Sequence, residues 1–67
     1  MTVIINGESQ EVPDGLTVAG LLAYLRIAAD RVAIERNREI IPRTKWQGTA
    51  VQTNDSYEIV HFVGGGL

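Results

Sequence analysis

Hydrophobic and polar positions change rhythm along this chain, and each change marks an element. Thr2-Val3-Ile4-Ile5 is rich in β-branched residues and runs into Asn6-Gly7, the dipeptide that most strongly signals a two-residue hairpin turn. A second short strand over residues 9–12 completes that hairpin. Pro13-Asp14-Gly15 then breaks the extended run, because proline cannot donate to a ladder and glycine accepts positive φ. From Val18 the period switches: Val18, Leu21, Leu22 and Leu25 fall at i, i+3, i+4 and i+7, the apolar stripe of a short helix. Thr17 stands where an N-cap is wanted, its hydroxyl able to accept from a free amide of the first turn. Gly20 costs about 1 kcal/mol relative to alanine, so this helix depends on packing. Alternation returns over residues 31–36, with Val32 and Ile34 on one face. Asn37-Arg38 turns the chain into Glu39-Ile40-Ile41, and Pro42 ends that run. Residues 44–48 read as irregular or barely helical, 49–51 as briefly extended, and 53–55 as a turn into a final strand over 56–62. The order ββαβ(β)β describes an α+β domain with one helix lying on a mixed sheet.

Composition narrows the function classes. The chain has 67 residues, enough for one domain, and is 45% hydrophobic and 21% charged, as expected of a globular protein. Its net charge of −2 and pI near 5.1 disfavour broad binding to nucleic acid or to an anionic membrane. It has no cysteine, which removes disulfides, thiolate nucleophiles and zinc-finger spacings together and points to a reducing compartment. No apolar run approaches the roughly 18 residues of a membrane helix, and Met1 leads into alternating residues and not into a secretion signal, so a cytoplasmic protein is expected. The expected core is Val3, Ile5, Val12, Leu16, Val18, Leu21, Leu22, Leu25, Val32, Ile34, Val51, Tyr57 and Ile59. So small a body has little depth for a water-excluding pocket, which directs attention to its surface and its ends.

Little in the chain suggests catalysis. His61 is the only histidine, with apolar neighbours and no cysteine or second histidine to join it, so an edge or partly buried histidine is expected before a base or a metal ligand. No helix follows Gly64-Gly65-Gly66, so these glycines are not a phosphate loop. Tyr24 is expected at the rim of the core, and Trp46 as a core anchor. The glycines have two readings. They form either a plain flexible terminus or a backbone without Cβ atoms, suited to threading a narrow channel of another protein. The last strand bears on the choice. Alternation puts Tyr57, Ile59 and His61 on one face, and Glu58, Val60 and Phe62 on the other. A charged Glu58 turns that second face to solvent, leaving Val60 and Phe62 as an apolar docking patch beside the glycines. Arg36, Arg38, Arg43 and Lys45 hold four of the six basic residues and read either as a solvated face or as a rim for an acidic partner.

Taken in combination, several features resemble the ThiS family, the sulfur carriers of thiamine biosynthesis. These are the opening hairpin, the helix near residues 17–25, Val32-Ala33-Ile34-Glu35 and Asn37 to Ile41. Pro42-Arg43-Thr44-Lys45-Trp46, Asp55 before the last strand, and Phe62-Val63-Gly64-Gly65-Gly66 complete the set. The resemblance implies a ubiquitin-like β-grasp fold, with one helix on a mixed four- to five-stranded sheet over residues 1–63 and a flexible tail over 64–67. It also implies a carrier and not an enzyme. Gly66 would carry the sulfur as a thiocarboxylate, with Gly64 and Gly65 threading into the partner. The implied partners are a ThiF-like adenylating enzyme, which uses ATP and Mg, and a ThiG-like thiazole synthase. The chain itself would bind no cofactor and no metal, and would be monomeric when free. A molybdopterin-synthase-type carrier, another β-grasp sulfur carrier and a non-catalytic β-grasp interaction module are the alternatives. Leu67 departs from the family pattern, which ends in Gly-Gly. It stands either as a cloning remnant or as an encoded residue that a protease removes.

Overall fold

A computed structural model describes residues 1–62. The first alternating segment becomes two antiparallel strands, β1 (Thr2–Ile5) and β2 (Glu8–Glu11). They are joined by Asn6 and Gly7, both at positive φ (50° and 84°), the geometry whose twist suits a two-residue hairpin. That tight turn sets Glu8 directly opposite Ile5, so β2 starts and ends one residue earlier than the expected 9–12.

The switch of period produces α1 (Val18–Tyr24). Thr17 caps it as expected, its side chain accepting from the Gly20 amide at 3.1 Å. At the other end Arg26 adopts φ 60°. Its amide reaches the Ala23 carbonyl at 3.1 Å and the Ile27 amide reaches Leu22 at 3.0 Å, the paired bonds of a Schellman cap. The stripe of α1 buries Val18, Leu21 and Leu22, while Leu25 already belongs to the cap and is only partly buried.

β3 (Val32–Arg36) and β4 (Glu39–Ile40) form a second hairpin, and Asn37 and Arg38 again take positive φ. A 3-10 segment, Arg43–Gly48, follows and swings Trp46 into the core, where the indole N–H donates to the Ile41 carbonyl at 2.9 Å. β5 (Ser56–His61) closes the order β2-β1-β5-β3-β4, parallel to β1 and antiparallel to β3. The result is the β-grasp arrangement, a mixed five-stranded sheet with one α-helix on it.

Between helix and sheet lies a core containing eleven of the thirteen expected residues. Leu16 and Leu25 flank it half-buried, and Ile41 and Trp46 take their place inside, because the 3-10 segment folds over the open side of α1. No helix among the described residues is long and apolar enough to cross a membrane.

Candidate functional site

β5 is the central strand, and the chain leaves it toward the glycines. Its inward residues Tyr57 and Ile59 are buried, whereas Glu58, Val60 and Phe62 face out, as the alternation predicts. Val60 and Phe62 are each 57% exposed, a large apolar exposure for adjacent positions on one face. His61 pairs with Val32 at the end of the sheet and is exposed. Among the described residues, no three His, Cys, Asp or Glu side chains are grouped to hold a metal. Val63, the expected thread Gly64 and Gly65, the expected sulfur-bearing Gly66, and Leu67 lie outside the described residues.

The strand that leads to the glycines is fastened along its length. On one side the Phe62 amide donates to the Arg31 carbonyl at 2.8 Å, continuing the ladder to β3. On the other side β1 ends at Ile5, and the side chain of Asn6 replaces the next backbone rung. Its Oδ1 accepts from the Ile59 amide at 2.8 Å, and its Nδ2 donates to the Ile59 carbonyl at 3.3 Å. The hairpin dipeptide therefore does a second task that sequence could not reveal, since Ile59 lies 53 positions away.

A polar cluster holds the start of the same strand. Asp55 is buried, and its Oδ2 accepts from the Gln52 amide and the Tyr57 hydroxyl, both at 2.9 Å. Its Oδ1 accepts from Asn37 Nδ2 at 3.3 Å, and the side-chain Oδ1 of Asn37 accepts from the Ser56 amide at 3.0 Å. Burial first, and the hydrogen bond to Asp55 second, push the Tyr57 hydroxyl well above the ordinary tyrosine value, so it serves as a fixed donor. This network locks the turn that launches β5.

The basic stretch does not form one rim. Arg36 is half-buried, with Nη1 donating to the Ala50 carbonyl at 3.3 Å and lying 4.0 Å from Asp55. The Arg43 guanidinium sits 4.7 Å over the Trp46 ring and donates to the Ala29 carbonyl. Both are occupied in holding loops to the body, which leaves Arg38 and Lys45 exposed on separate segments. The arrangement is therefore a small rigid body that holds one central strand by both edges and presents apolar side chains beside its exit.

Comparisons with known proteins agree with this description. The model of the ThiS family matches residues 3–66. The sulfur carrier protein ThiS of Bacillus subtilis is 42% identical over 50 residues, covering 75% of this chain and 76% of that protein. A thiazole synthase of Paramagnetospirillum magneticum is 42% identical over 66 residues, 98% of this chain but 20% of that protein. A second thiazole synthase, from Magnetococcus marinus, is 39% identical over 66 residues; the chain thus spans about a fifth of the length of these two relatives. The crystal structure of the thiamine biosynthesis protein ThiS from Geobacter metallireducens superposes with a TM-score of 0.84 at 37% identity, covering 98% of this chain and all of that one. With the family pattern running from β1 through Gly66 and the overall fold shared with a solved member, the chain belongs to the ThiS family.

Proposed function

We propose that this chain is a sulfur carrier for thiazole formation in thiamine biosynthesis, a substrate of partner enzymes and not itself a catalyst. Residues 1–63 are the recognised body, and residues 64–67 contain the delivered end. The reacting group is the carboxylate of Gly66, so the chemistry requires a chain that terminates there. A carboxylate is a poor electrophile. A ThiF-like partner holding ATP and Mg activates it: a carboxylate oxygen attacks the α-phosphorus, pyrophosphate leaves, and an acyl-adenylate forms. A sulfur nucleophile at the sulfide level then adds to the carbonyl carbon and AMP departs with the oxygen, leaving a thiocarboxylate. Gly64 and Gly65 suit a narrow channel because they have no Cβ. Ordering them costs about 1–2 kcal/mol per residue, so affinity has to come from the body, where Val60 and Phe62 offer apolar contact.

The observation that carries this reading is that the ThiS match extends through Gly66, immediately beyond a central strand pinned on both edges. That two thiazole synthases contain a stretch similar to the whole of this chain supports a ThiG-like thiazole synthase as the sulfur acceptor. Truncation after Gly64 tests the reading. Compared with a chain ending at Gly66, the shortened chain keeps the unfolding transition of the body and loses all sulfur transfer in a reconstitution with both partners. Sulfur transfer that survives truncation contradicts the carrier role.

A further inference from the structure

The outward face of the sheet carries more than the apolar pair. Register places Ala33 opposite Val60 and Glu35 opposite Glu58, with Ile40 opposite Glu35 on its other side. Two carboxylates therefore face each other across adjacent strands, with Cβ atoms about 5 Å apart, a placement that repels and lowers stability. Among the described residues no ion pair relieves it. Among the described residues, the ion pairs are those of the Met1 amino group with Glu11 and Asp14, and of Arg36 with Asp55. Neither Glu35 nor Glu58 has a cation within 4.0 Å, although Arg38 lines the same shallow depression with Asn37 and Ser56. Immediately along the face stand Val60 and Phe62, each 57% exposed, and across it Ile40, 71% exposed. Negative charge and apolar surface are thus interleaved on the face that borders the exit of β5.

We propose that Glu35 and Glu58 form a two-carboxylate seat for a guanidinium of the thiazole synthase, whose apolar surface covers Val60, Phe62 and Ala33 beside it. This rests on the sulfur-carrier reading and adds to it the chemistry of the partner's face. A guanidinium suits the site because its planar fork can donate to two carboxylates at once. A second copy of this chain does not fit, since it would bring four carboxylates together on molecules of net charge −2. A nucleic acid would add phosphates to the repulsion. A metal ion would find two carboxylates where no third ligand group is gathered among the described residues. The thiazole synthase is chosen because two relatives of that name contain a stretch similar to this whole chain.

The test is titration of the full chain and its Glu35→Gln/Glu58→Gln double variant with the thiazole synthase of the same organism, at several salt concentrations. The double variant should bind at least about tenfold more weakly and with a shallower salt dependence, yet unfold at the same or a higher temperature because the repulsion is gone. A purely structural role for the pair would not weaken binding while sparing stability. Equal affinity and an equal salt slope overturn the seat, and so does self-association of the unsubstituted chain that the double variant lacks. Failure of the carrier reading is told apart by mass: if the unsubstituted chain, cut to end at Gly66, is thiocarboxylated and binds but the double variant cut at the same place binds equally well, only the seat is wrong. Absence of any binding by the unsubstituted chain overturns the seat together with this choice of partner.

Discussion

Asp55 and Tyr57 show how much of this small body depends on a few polar atoms. One carboxylate accepts from the Gln52 amide, the Tyr57 hydroxyl and the Asn37 side chain, and no buried side-chain nitrogen or oxygen among the described residues lacks a partner. The same geometry fixes the sign of a pH effect. Burial and the bond to Asp55 favour the neutral phenol, Arg36 opposes them only in part, and the folded pKa of Tyr57 rises above the ordinary 10.0. Its contribution to stability is fully present below that value and is lost as pH climbs through the raised folded value. Wild-type stability should therefore fall relative to Tyr57→Phe above the ordinary value, approaching about 1.4 kcal/mol per pH unit. Denaturant unfolding of the two proteins across the alkaline range checks this, and parallel curves would contradict it. Sequence exposed almost none of this network. Asp55 reads as an ordinary turn residue because its partner Asn37 is 18 positions away, and Asn6 reads only as half of a hairpin turn because its partner Ile59 is 53 away. Val60 and Phe62 were legible, because the period of a strand is strict and the charge of Glu58 identified the wet face.

At the scale of elements, local chemistry governs where strands and helix begin and end. Both hairpins turn on two residues at positive φ, Asn6-Gly7 and Asn37-Arg38, and Thr17 opens α1 with a side-chain cap. The end of α1 near residue 25 was legible, but its cap was not, because a Schellman cap ordinarily announces itself with glycine and here Arg26 occupies the left-handed position. The strain at Arg26 is a prediction in itself. Arg26→Gly should stabilise the protein by about 0.5–1 kcal/mol, since glycine enters that conformation without a Cβ clash and the bonds to Leu22 and Ala23 are kept. Thermal unfolding measures it, and a loss of stability would show that the arginine side chain contributes more than its backbone costs. The 3-10 segment around Trp46 was legible only as irregular or barely helical over residues 44–48. Its form follows from tertiary demand, the burial of one indole against Ile41 under an arginine, and not from any periodicity in residues 43–48.

The whole molecule is organised around one strand. β5 lies between β1 and β3, so a pull on the chain beyond Phe62 is resisted by ladder bonds to β3, by the Asn6 clamp and by the Asp55 cluster at its start. The body is small and, among the described residues, gathers no metal-ligand cluster, while its sheet presents an open face of mixed apolar and acidic character. An open face of this kind suits the proposed role of a handle gripped by another protein. The overall class was legible because its punctuation is local: an Asn-Gly turn, a proline break, a capped stripe and a glycine run. The topology that puts the last strand in the middle is a non-local fact, and only the family resemblance anticipated it. The central claim is that the working atom is the carboxyl of Gly66. The most direct test is the intact mass of a chain ending at Gly66 after incubation with its ThiF-like enzyme, Mg-ATP and a sulfur donor. The account predicts a gain equal to the exchange of one oxygen for one sulfur, confined to the C-terminal peptide and absent when ATP is withheld. An unchanged mass, with an adenylating enzyme shown to be active on another carrier, would contradict it.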